Sequence, residues 1–137
     1  MYNWDFVVGC ICRKDSKMSL KSMYYKKSAL CVDNKKYIYT VSAKAYIIKI
    51  IVYLPDKKTP YFITYVTYAE NWGFDAYRPK TIEILIRFYN EYKDMIANNE
   101  FRIKDYPVLF QRLIDTYFEN STSEEIDEFK KICYEQL

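Results

Sequence analysis

The property that most restricts the fold of this chain is a change in its hydrophobic period partway along. Up to about Ala69 it is rich in Val, Ile, Thr and Tyr, the residues that suit a pleated sheet, whereas after Pro79 its apolar residues recur at spacings of three and four. Strands first and helices afterwards define an α+β protein, in which helices cover an antiparallel sheet. A length of 137 residues without repeats or Pro/Gly/Ser-rich linkers predicts one domain over 1–137.

Periodicity predicts the individual elements. Tyr2 to Cys12 reads as a first strand, with Trp4, Phe6, Val8, Cys10 and Cys12 on one face, while residues 16–27 suit either a short helix or a loop. Ser28–Val32 and Lys36–Val41 flank Asp33-Asn34, a pair that tolerates the left-handed conformation of a tight hairpin. Apolar residues then move from odd positions (Tyr37, Tyr39, Val41) to even ones (Tyr46, Ile48, Ile50, Val52, Leu54). A slip of one residue exchanges strand faces, so a bulge, bend or turn is expected at Ser42-Ala43-Lys44. Pro55 to Pro60 turns the chain, and Tyr61–Tyr68, apolar on both faces, returns as a central or doubly covered strand. The resulting sheet has about four to five strands over residues ~2–69. About three helices follow at ~79–97, ~106–119 and ~123–136, the second capped by Asp105 and the third by Ser121 with Glu124 or Thr122 with Glu125.

Composition excludes much familiar chemistry. With no His there is no His-based triad, zinc site or haem ligand, and two isolated glycines, Gly9 and Gly73, cannot form a phosphate-binding loop. Asp56 with Glu91 and Lys93 carries the letters of the PD-(D/E)xK nuclease site, which it resembles only if both parts lie on neighbouring strands. Cys10, Cys12, Cys31 and Cys133 lack the paired spacing of zinc knuckles. They read as free apolar thiols of a reducing cytoplasm, with a Cys10 or Cys12 disulfide to Cys31, or an unusual metal site, as competing readings. Cys12 beside Arg13-Lys14 is a candidate nucleophile without a His base. The strand-to-helix order is similar to that of ubiquitin-conjugating enzymes, whose His-Pro-Asn signature is missing. Asn71-Trp72-Gly73 resembles the core motif of apoptosis-regulator helical bundles, but it is read here as a turn in a strand-rich setting. The chain is therefore read as non-enzymatic, with no cofactor and no metal.

Charge and tyrosine indicate partners instead. Residues 1–60 carry twelve Lys/Arg against four Asp/Glu, while residues 61–137 carry nine against fourteen, so the halves have opposite sign. Tyr, present sixteen times, offers contact area and a hydrogen bond with little entropy to lose. The expected function is a small inhibitor, immunity or viral/phage-type accessory protein that binds a protein partner, with Glu124, Glu125, Asp127 and Glu128 as contacts. The alternative is a nucleic-acid-binding module using Lys26, Lys27, Lys35, Lys36 and Tyr37. No membrane partner is expected, because the longest apolar stretch, Ala45–Leu54, is about half the length of a spanning helix; self-association is left open.

Overall fold

The computed structural model describes residues 27–135, so the expected strand Tyr2–Cys12 and nearly all of the ambiguous 16–27 stretch lie outside the described residues. Strands β1 (Lys27–Val32), β2 (Lys35–Lys44), β3 (Ile47–Tyr53) and β4 (Phe62–Thr67) form an antiparallel meander. Helices α1 (Tyr68–Phe74) and α2 (Pro79–Tyr92) come next, then β5 (Glu100–Arg102), α3 (Pro107–Tyr117) and α4 (Ser123–Glu135). The sheet order is β1-β2-β3-β4-β5, with β5 parallel to β4. The fold is α+β, as the change of period predicts.

Both tight hairpins follow from local chemistry. Asp33 and Asn34 adopt φ values of 51° and 65°, the paired left-handed conformation of a two-residue turn, and Val32 faces Lys35 across it. The second turn falls at Ala45-Tyr46, just beyond the expected Ser42-Ala43-Lys44, and Ala45 takes the left-handed conformation. No bulge is needed for the parity change. In a hairpin closed by two residues, cross-strand partners have numbers of opposite parity, as in Val41 facing Ile50 and Tyr39 facing Val52. Tyr46 is therefore the tip of the turn, 87% exposed, rather than the first apolar residue of β3. β4 is paired on both sides, which accounts for its apolar character.

Two elements were not anticipated. Asn71-Trp72-Gly73-Phe74 is the second half of α1 rather than a turn, and α1 is a helix beyond the expected three. Its signal is Thr67-x-x-Glu70: the Thr67 hydroxyl accepts from the Glu70 N–H, and the Glu70 carboxylate accepts from the Thr67 N–H. The other is β5. The helix expected over 79–97 stops at Tyr92, passes through a 3-10 turn, and reverses at Asn98 and Asn99, both with positive φ. The Asn99 amide then donates to the carbonyls of Pro60 and Tyr61, which seats Glu100–Arg102 alongside β4. α3 begins at Pro107, whose missing N–H costs a helix start nothing, and the cap residue is Tyr106; Asp105 makes no cap and sits in the preceding 3-10 turn. At α4 the second of the two possible boxes forms, between Thr122 and Glu125.

The helices pack on one face of the sheet. Leu30, Tyr37, Ile50, Val52, Phe62 and Phe101 line that inner face, and Phe62 meets Tyr89 of α2 at 4.7 Å between ring centroids. A second aromatic group, Phe74, Phe110, Phe118 and Phe129, joins α1 to α3 and α4. Gly73 is required there: a Cβ at this position would lie 2.5 Å from Phe129 Cζ and 2.8 Å from Phe118 Cζ. Thr64, fully buried on β4, has a hydroxyl with no hydrogen-bond partner among the described residues.

Two opposite changes in stability are expected from urea unfolding. Gly73→Ala should destabilise by about 1–3 kcal/mol through overpacking. Thr64→Val should stabilise by about 1 kcal/mol, because it removes an unsatisfied buried hydroxyl while keeping the side-chain shape.

Candidate functional site

The acidic contacts expected from the sequence lie on α4. Ile126, Phe129 and Cys133 recur at helical spacing and turn inward, leaving Glu124, Glu125, Asp127 and Glu128 exposed. Glu125 is taken up by the fold, since its carboxylate accepts the Thr122 N–H at 2.8 Å. Glu124, Asp127 and Glu128 share the outward stripe with Lys131 and Glu135, and none of the three acids is within ion-pair distance of a cation among the described residues. Acids in the first turn also complement the positive end of the helix dipole. Ile132 and Tyr134 are half-exposed along the same helix, and the Tyr134 ring stacks on Phe110.

The basic residues of the alternative reading do not converge. Lys26 lies outside the described residues. Lys27 faces Thr40 near one end of the β1–β2 hairpin, while Lys35 and Lys36 sit at the other end and point to opposite faces of the sheet. Tyr37 is buried at 1% exposure, so it offers no ring face to a base. Its hydroxyl accepts from the Asn90 amide at 3.1 Å, and its ring lies 6.0 Å from that of Tyr61. On β2 the interleaving in sequence sets Tyr37 and Tyr39 on the core face and Lys36 and Lys44 on the outer face.

The candidate chemistries are separated as well. Asp56 is in the β3–β4 turn, Glu91 is paired with Arg112 at 2.7 Å, and the Lys93 ammonium lies over the Tyr61 ring. The described residues contain no group of three or more potential metal ligands. Cys12 lies outside them. Cys31 is disulfide-bonded, which corrects the free-thiol reading for this residue; its partner is outside the described residues. Cys133 is free and fully buried, and burial, followed by the neighbouring Glu70 charge, pushes its thiol up to about 12. It stays protonated and lacks the activated thiolate a nucleophile needs. Glu70 is itself buried at 1% exposure, with one carboxyl oxygen capping α1 and the other without a hydrogen-bond partner among the described residues. Burial raises its pKa against the opposing pull of the Thr67 hydrogen bonds, Lys104 and Arg102.

Large exposed aromatic residues were missed by the sequence reading. Trp72 is 92% exposed on α1 and Tyr46 is 87% exposed, and the Tyr68 hydroxyl donates to the Ala45 carbonyl, bringing α1 beside the β2–β3 turn. The only sequence signals were their places at a turn tip and on the far side of a short helix. No described helix is long and apolar enough to cross a membrane. Compared with known protein families, curated proteins and solved structures, the chain matches none.

Glu70 gives a pH-dependent prediction. A carboxyl group whose folded pKa is raised contributes stability below its unfolded value, near pH 4, and that contribution is lost as pH rises through the folded pKa. Glu70→Gln keeps the capping oxygen and removes the titration. Denaturant unfolding of both proteins should therefore show the variant gaining on the wild type between about pH 4 and pH 7.

Proposed function

We propose that this chain is a non-enzymatic interaction protein that binds a protein partner through an aromatic, charge-polarised surface. A small inhibitor, an immunity protein or a viral or phage accessory protein works in this way. The observation that carries the reading is the outward stripe of α4, where Glu124, Asp127 and Glu128 are exposed without ion-pair partners among the described residues. Unpaired acids at a helix start create a local negative field that steers and orients a basic surface, including a groove built to hold nucleic acid. The exposed Ile132 and Tyr134 add apolar contact area beside that field.

Capture from native cell extract tests the reading when the wild type is compared with a Glu124→Gln, Asp127→Asn, Glu128→Gln variant. These exposed substitutions remove charge without touching the buried side of the helix. A protein partner should survive nuclease treatment and be reduced at least tenfold on the variant, as expected when charges with a close complement are removed. Equal capture by both proteins, or capture abolished by nuclease, would count against α4 as a protein-binding face.

A further inference from the structure

The face of the sheet turned away from the helices is aliphatic at Ile51 and Ile63 and carries Lys49, Tyr65, Glu100 and Arg102 beside them. Strand register places Lys49 opposite Tyr65, and Tyr65 opposite Arg102, so one half-exposed ring lies between two half-exposed cations on three adjacent strands. Lys44, exposed at the end of β2, lies on the same face two residues beyond Ser42, which is opposite Lys49. None of these three cations is within ion-pair distance of a carboxylate among the described residues. Glu100, the acid beside them, accepts a hydrogen bond from the Tyr65 hydroxyl at 3.0 Å, and this holds the ring in place. At the same end of the sheet, Tyr46 and Trp72 add exposed rings, joined to it by the Tyr68 bond to Ala45.

We propose that this outer face, centred on the Lys49–Tyr65–Arg102 row, is a docking surface for single-stranded nucleic acid. Cations alone would suit any acidic partner. A ring set between them, with further exposed rings at the same end of the sheet, favours one whose repeating unit couples a phosphate with a flat, stackable base, and only an unpaired strand exposes its base faces. The surface is on the other side of the sheet from the helical layer that holds α4, and it uses none of the residues Lys27, Lys35, Lys36 and Tyr37 singled out by sequence. It therefore stands or falls independently of the protein-binding role of the acidic helix.

The test is fluorescence anisotropy of a labelled uridine oligomer with the purified full chain, titrated with salt. Three cations that each neutralise one phosphate predict a slope of log affinity against log salt of about −2. Tyr65→Ile keeps the charge and a strand-forming residue but removes the ring, and should weaken binding about tenfold, whereas Tyr65→Phe should retain it. Lys49→Gln with Arg102→Gln should flatten the salt slope. Circular dichroism of the variants separates loss of binding from loss of fold. Absence of binding at low salt would overturn the proposal. So would equal binding of labelled polyglutamate, or a folded Tyr65→Ile protein that binds as well as the wild type.

Discussion

Phe62 couples the two layers of the molecule. It is fully buried on β4, with its ring 4.7 Å from Tyr89 of α2 and 5.5 Å from Phe101 of β5, so a single side chain touches the sheet, the longest helix and the late-arriving fifth strand. Its own strand is paired on both sides and runs directly into α1 through the Thr67 cap. Moving β4 by one residue would turn Phe62 to the outer face and bring Ile63 inward, separating these contacts together. Register is thereby fixed by burial, and the positions of Tyr65 and Arg102 on the outer face follow from it.

That register also sorts the charges. The helical side presents the acids of α4, while the outer face presents Lys49 and Arg102 on paired strands. Arg87 of α2 bridges Asp33 of the first hairpin and Glu83 of its own helix, and within the helical layer Arg112 of α3 reaches Glu91 of α2. These pairs are partly exposed and each contributes at most about 1 kcal/mol. Their consequence is distribution rather than stability: among the described residues the acids Glu124, Asp127 and Glu128 and the cations Lys49 and Arg102 stay outside these pairs, on two separate faces.

Much of the architecture was legible because it is written locally. The Asp33-Asn34 turn, the parity change after Val41, the spacing of Ile82, Leu85, Ile86 and Tyr89, and the Thr122 capping box all act within a few residues. The elements that escaped depend on partners distant in sequence. β5 has three residues, too few to show a period, and exists because Asn99 binds carbonyls 38 and 39 positions earlier. The early end of α2 has the same origin, since the chain must reverse to reach β4. Gly73 looked like a turn glycine, and its real constraint is the closeness of two phenyl rings from other elements.

The candidate surfaces divide along the same line. The sequence by itself determined the change of period, the opposite signs of the two halves and the acidic start of the last helix, because each depends on composition or spacing over a short stretch. Only the tertiary structure decided what each tyrosine does: Tyr37 is buried in the core, Tyr65 lies between Lys49 and Arg102, and Tyr46 is exposed at a turn tip. In a linear reading these three are alike. They differ because helices pack on one face of the sheet, so exposure depends on strand register and on what lies across the face rather than on the residue itself.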